Sequence, residues 1–373
     1  MADDRGSPPP PTRGDRRSRL AVGVIFGMHG VAAGSWAVRI PWVAESLRLS
    51  PGELGVALFG AAAGGVCAMP LAGRMVARHG SHTSMRIGIA ALSVSVALPP
   101  FASNLPLLFA ALVCFGAGQG ILDVAMNVGG VEVQERYGRP IMASLHGLWS
   151  AGTMGGAAVG GTVAEVGVDA PVHLAAVGVA VLGIGLPAAR LLAGSAARTA
   201  EPAFAWPGRG VWLVGVVAFC SFFAEAAAAD WSAVYLRTRT AASPGVAAAA
   251  YTAFSITMML GRFFGDRAIA RIGAVGLATG LLVPSPSVAI AAFGLLGLGV
   301  STVVPLAFSA AGGRADPDRG TSVAAVATVG YGGWLAAPAL IGLVADVTSL
   351  TVSLALVAGL TAVIAVGAPV LRR

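Results

Sequence analysis

Gln119, Asp123 and Asn127 stand four residues apart in an otherwise apolar stretch, and a helix sets such residues on one face. Ionisable groups in lipid are costly, so each one inside an apolar run is a candidate for function. Asp123 could take up and release a proton, with Gln119 and Asn127 binding a solute beside it. The competing reading is an interhelical hydrogen-bond clamp. Glu225 and Asp230 share a second apolar run with Trp231. Glu225 lies deeper and reads as a second proton site. Asp230, near the end of the run, reads as a proton site, a cap, or a partner for Arg39 or Arg237. Five residues turn a helix by about 500°, roughly 140° net, so Glu225 and Asp230 do not share a face.

His29 could bind solute or titrate; the alternative is a neutral histidine hydrogen-bonded across helices. Arg39-Ile40-Pro41-Trp42 reads as a helix end, with Arg39 reaching toward the headgroups and Trp42 in the interface. Arg39 is also a candidate to touch solute. His146 and Trp149 lie one turn apart and are candidate cavity residues, followed by a ridge of Gly152, Gly155, Gly156, Gly160 and Gly161 that suits packing. Tyr331 and Trp334 are the matching aromatics of the second half, and Trp231 and Tyr331 are candidates to bind solute.

These side chains need a scaffold, and the composition says which. Hydrophobic residues make up 56% of the 373 and charged residues 11%, against about 25% charged in soluble domains. A soluble protein could not bury that much apolar surface, so lipid is the expected solvent. Apolar runs occur at roughly 20–43, 53–76, 84–100, 105–128, 141–164, 171–192, 210–236, 247–267, 272–283, 288–311, 320–344 and 349–370. About 20 apolar residues cross a bilayer, and backbone in lipid must bond to itself, so each run reads as a helix. The fold class predicted is an all-α membrane protein with 12 spans in two six-helix, pseudo-symmetric bundles. Cys67, Cys114 and Cys220 lie inside the runs without CxxC spacing and read as small core residues.

All 24 basic residues are Arg. With a cytoplasmic N-terminus, 20 of the 24 fall on the inner side, and Arg39, Arg48, Arg237 and Arg239 on the outer. That bias places both termini in the cytoplasm and accounts for the +7 net charge without a nucleic-acid partner. Residues 1–19 are polar, with four consecutive prolines, and read as a disordered tail. Residues 193–209 form the longest later polar interruption and read as a central linker between bundles at 20–192 and 210–373.

An internal repeat supports the division. Ala77-Arg78-His79-Gly80 matches Ala270-Arg271-Ile272-Gly273 at an offset of 193, and Trp36 matches Trp231 at 195. Gly116-Ala117-Gly118 matches Gly297-Leu298-Gly299 at 181, and Gly152 and Gly155 match Gly330 and Gly333 at 178. Repeated halves suit a secondary transporter. The shrinking offset locates a shortened ninth span at Ile272–Val283, 12 residues or about 18 Å of helix.

The turn after the second span reads Gly73-Arg74-Met75-Val76-Ala77-Arg78-His79-Gly80, and its counterpart holds Gly261, Arg262, Gly265, Asp266 and Arg271. Gly permits tight turns. Arg can bond helix C-terminal carbonyls or an acidic partner, so both turns are candidate gates.

This turn resembles the G-x-L-a-D-R-x-G-R loop of the major facilitator superfamily, with Gly73, Arg78 and Gly80 matching. Ala77 replaces the signature Asp and Ser81 the final Arg, which leaves the latch role to Asp266. Ser35-Trp36-Ala37-Val38-Arg39-Ile40-Pro41, Leu122 to Asn127, Asp230 to Tyr235 and Gly261 to Asp266 resemble the branch related to fucose-permease-type sugar:proton symporters. In that branch a carboxylate followed four residues later by Asn couples proton to sugar. Asp123 and Asn127 have that spacing. The resemblance implies a proton-coupled transporter of a small organic solute, monomeric, in the plasma membrane, with no cofactor. It covers about residues 20–370.

Three other readings remain open from the residues. Proton-driven efflux keeps the fold, although Gly152 is followed by Thr153 where efflux families have Pro. A membrane-embedded enzyme would need a constellation such as His146 with Asp123. A non-transporting sensor would need none of these groups to move. The chain has no GxxxxGK[ST] loop to drive transport with ATP, and no HExxH or Cys/His ligand set.

Overall fold

Thr12 opens the first helix. Its hydroxyl accepts from Asp15 N–H at 3.2 Å and the Asp15 carboxylate accepts from Thr12 N–H at 2.9 Å, a reciprocal cap that starts the helix at Arg13. The polar segment expected to be disordered through residue 19 is therefore helical from Arg13 onward. The computed structural model describes residues 11–192, 212–264, 269–312 and 319–367. The expected linker at 193–209, Gly265 and Asp266 lie outside the described residues.

The described chain is helical: α1 (Arg13–Ala37), α2 (Ile40–Leu47), α3 (Pro51–Ser95), α4 (Leu105–Tyr137), α5 (Met142–Glu165), α6 (Ala170–Arg190), α7 (Trp212–Thr240), α8 (Pro244–Phe264), α9 (Ile269–Leu282), α10 (Pro286–Val300), α11 (Val303–Gly312), α12 (Arg319–Val347) and α13 (Leu350–Gly367). Eight stretches are long and apolar enough to cross a membrane. Large apolar side chains such as Leu20, Val94, Phe101, Val179 and Leu213 face outward, which needs lipid around them. Three expected spans fall outside those eight. Gly, Ser, Thr and His lower the hydropathy of α5, while α9 and α13 are short. The ninth expected span is the 14-residue helix Ile269–Leu282.

The second and third expected spans meet without an intervening loop. α3 runs through both, broken only at Gly80, whose φ of 80° and ψ of 162° reverse the chain. A side chain there would be strained. Arg74 and Arg78 of the candidate gate are exposed beside it.

Small residues set how closely the helices approach. α1 lies on α5 with backbones touching. A Cβ on Gly30 or Gly34 would strike the carbonyls of Trp149 or Thr153, and one on Gly152 or Gly156 those of Gly27 or Val31. The glycine ridge of α5 is thus a packing surface. α3 packs on α4 and α6, α7 on α12 and α13, and α10 on α8 and α9. Across the sequence midpoint, α3 packs on α12, α5 on α8, and α1 and α2 on α7. Cys67 and Cys114 are exposed and only Cys220 is buried, so two of the three are not core residues.

Candidate functional site

Among the residues that α1 buries is the candidate His29, 5% exposed. The close α1–α5 contact brings Trp149 to it: the indole Nε1 donates to His29 Nδ1 at 2.8 Å. On its other side Nε2 meets the Gln119 carbonyl of α4 at 3.2 Å. An accepting Nδ1 leaves Nε2 to carry the proton, so this hydrogen-bond pattern selects the neutral Nε2–H tautomer. His29 is the cross-helix histidine of the alternative reading, tying α1, α4 and α5 together.

One turn along α4, Asn127 donates its amide to the Asp123 carbonyl at 2.8 Å and to Asp123 Oδ1 at 3.2 Å. The pair bonds within its own helix, and among the described residues Asn127 makes no bond of the competing interhelical clamp. One carboxylate oxygen of Asp123 is oriented while the group stays half-buried. Gln119 Oε1 is buried with no hydrogen-bond partner, an acceptor still to be satisfied. Tyr331 of α12 stacks on Phe222 of α7 at 5.6 Å. His29, Gln119 and Trp149 thus join α1, α4 and α5, with Asp123 and Asn127 one and two turns further along α4. Sequence reasoning missed Phe222, which carries no signal beyond its type.

Other candidates separate from this group. His146 is exposed, with its ring edge-on to Phe26 at 5.4 Å. Trp231 is 0% exposed, enclosed by packing and presenting no surface to a solute. Glu225 and Asp230 are both half-buried on α7.

Arg39 does not reach toward headgroups. It is 2% exposed and its Nε donates to His173 Nδ1 at 3.0 Å, with Asp169 nearby. Arg237 is not the partner of Asp230. Its Nε and Nη2 bond Glu45 at 2.8 and 2.9 Å, joining α7 to α2. Arg39, Glu45, Asp169 and Arg237 line a cleft of about 140 Å³ with Trp42 and Pro244.

The candidate gates divide. In the first, Ser81 donates to Glu132 Oε2 of α4 at 2.7 Å, with His82 Nε2 at 3.9 Å from the same oxygen. The residue replacing the signature's final Arg thus ties α3 to α4. In the second, Gly261 is buried and a Cβ there would meet Ser301. Arg262 and Arg271 lie in α8 and α9. Among the described residues no cluster of three or more metal-ligating side chains occurs.

The family model described as Major Facilitator Superfamily matches residues 22–274. An uncharacterized MFS-type transporter of Yersinia pestis is 33% identical over 368 residues, covering 95% of this chain and 96% of that protein. The membrane protein MosC of Rhizobium meliloti is 31% identical, with 90% and 86% covered. Among solved structures, the nucleoside transporter NupG superposes with a TM-score of 0.73 at 12% identity, covering 95% of this chain and 99% of that one. A bacterial homologue of the human lysosomal transporter Spinster, inward-facing and occupied, gives 0.71 at 15% identity, with 95% and 96% covered. At such identities the likeness is one of fold. Helical architecture, apolar surface and relatives along nearly the whole chain agree: this multi-pass membrane protein belongs to the major facilitator superfamily of transporters.

Proposed function

We propose that the protein is a secondary transporter that moves a small organic solute, a sugar or related metabolite, across the bacterial plasma membrane by alternating access, coupled to protons. On this reading the chain crosses the membrane 12 times as two six-helix bundles, residues 20–192 and 210–373, with a shortened ninth crossing, and works as a monomer with both termini in the cytoplasm. The arginine bias supports that orientation. The packing of α3 on α12 and α5 on α8 supports two units that rock about a shared centre.

The observation that carries the coupling is the setting of Asp123: a half-buried carboxylate whose Oδ1 accepts from Asn127, one turn from Gln119 and the His29 that bonds it. Neutralising it changes the charge of this polar stripe inside the first half. Gln119 Oε1, with no partner, and the aromatic faces of Trp149 and Tyr331 suit a neutral, hydrogen-bonding solute. Proton binding and solute binding then share one group and must affect each other reciprocally.

A panel of monosaccharides and related polyols, scored by thermal stabilisation of the purified protein, identifies the solute. Uptake into proteoliposomes under an imposed pH gradient then tests the coupling. Asp123→Asn abolishes gradient-driven uptake; uptake at the wild-type rate would reject Asp123 as the coupling group. Right-side-out and everted vesicles separate symport from proton-driven efflux.

A further inference from the structure

Two triplets with the same sequence occupy equivalent places. Ser50-Pro51-Gly52 opens α3 and Ser243-Pro244-Gly245 opens α8, at an offset of 193. Two residues before each serine the backbone is left-handed, at Arg48 with φ 53° and at Ala241 with φ 50°. Each serine carbonyl accepts the first helical bond, Ser50 from Leu54 N–H and Ser243 from Ala247 N–H, both at 2.9 Å.

Each triplet receives a carboxylate from a helix of the opposite half. Gly52 N–H donates to Asp346 Oδ1 at 3.0 Å and Ser50 Oγ to Oδ2 at 3.2 Å. Gly245 N–H donates to Glu165 Oε2 at 2.7 Å, with the Ser243 side chain bonded to the same carboxylate. Asp346 lies one residue before the end of α12 and Glu165 ends α5, and the two are 181 apart, an offset already seen in the repeat. A side chain at either place would crowd the carboxylate, since a Cβ on Gly245 would lie 2.9 Å from Glu165 Oε2 and one on Gly52 would overlap the Asp346 carboxylate. Anions at helix N-termini meet free N–H groups and a favourable dipole.

We propose that Asp346 and Glu165 are paired gate residues, each clasping a Ser-Pro-Gly helix start of the opposite half, and that both clasps must release for the end of the protein remote from Arg13 to open. This rests on the alternating-access reading. One clasp bridges α3 and α12 and the other α5 and α8, and the second borders the cleft lined by Val38, Arg39, Ala164 and Pro244. Releasing one leaves the other as a pivot.

The test uses the full chain with Cys67→Ser, Cys114→Ser and Cys220→Ala, and one reporter, Val38→Cys. A membrane-impermeant maleimide is applied to right-side-out and to inverted vesicles. With both clasps intact, labelling is slow. Glu165→Ala and Asp346→Ala each raise the rate several-fold from one side only, and the double variant raises it further. Glu165→Asp restores slow labelling. Gly52→Ala and Gly245→Ala, which crowd the carboxylates without removing charge, accelerate it in the same direction. Equal rates across these variants overturn the clasp, as does a double variant no faster than either single one. Unfolding is recognised as labelling from both sides with loss of the thermal transition, and Glu165→Gln with Asp346→Asn, which keep side-chain volume, then decide. Labelling needs no solute, so its failure is distinct from failure of transport.

Discussion

The Trp149 indole N–H donates to Nδ1 of His29 at 2.8 Å. This bond decides which nitrogen of His29 faces α4. With Nδ1 occupied, Nε2–H meets the Gln119 carbonyl. A histidine that composition alone offers as a titrating group becomes a neutral strut between three helices.

Trp149→Phe keeps the ring and removes the donor. His29 then keeps its Nε2–H on the Gln119 carbonyl, while Nδ1 loses its donor. The expected cost is about 1 kcal/mol in stability, the usual worth of such a bond. Nitrogen-15 spectra of labelled histidine check it: a protonated Nε2 in both proteins, with the Nδ1 resonance shifted in the variant because its hydrogen bond is gone. An unchanged Nδ1 resonance means the indole does not donate there.

Gly152→Val and Gly156→Val push a branched side chain into the backbone of α1 at Gly27 and Val31. The expected loss is about 1–3 kcal/mol, read as a lower midpoint of thermal unfolding in detergent. Gly155→Val, where nothing lies within 4 Å, leaves the midpoint unchanged and serves as the control on the same helix.

Gly80→Ala tests the α3 break. Its φ of 80° costs a residue with a Cβ roughly 1–2 kcal/mol. The expected result is a lower unfolding midpoint, whereas Gly73→Ala, in open space, is tolerated.

Arg237 and Glu45 form a bidentate but exposed pair, at 27% and 53% side-chain exposure. Exposed pairs contribute about 0–1 kcal/mol. Glu45→Gln therefore shifts the unfolding midpoint little, and the shift shrinks further in high salt.

Glu165 lies one residue past the apolar span of α5. The Gly245 N–H, the Ser243 side chain and, more weakly, Arg237 hold its carboxyl below the usual range for glutamate. A depressed carboxylate contributes its stabilisation above its ordinary pKa and loses it as pH falls through the lowered one. The α5–α8 clasp is therefore intact at neutral pH and weakens on acidification below about 4.3, the ordinary glutamate value. Labelling at Val38→Cys from the cleft side, divided by that of an exposed single-cysteine control whose thiolate fraction falls alike, should rise there in the parent chain and stay flat in Glu165→Ala.

The sequence by itself determined the solvent, because 56% hydrophobic residues leave no other place for the apolar surface. It also determined the polar stripe from Gln119 to Asn127, because spacing by four is a local property of a helix, and the glycine at the α3 break, because backbone sterics act on single residues. Tertiary structure decided what local spacing cannot encode: the partner of each polar group. Arg39 reads as a headgroup-seeking side chain until His173 of α6 is placed beside it, and Arg237 pairs with Glu45, 192 residues away, and not with Asp230 on its own helix. The two Ser-Pro-Gly triplets are visible in the letters, yet only packing brings Asp346 and Glu165 onto them, since a hydrogen bond forms between atoms within about 3 Å wherever the chain happens to supply them.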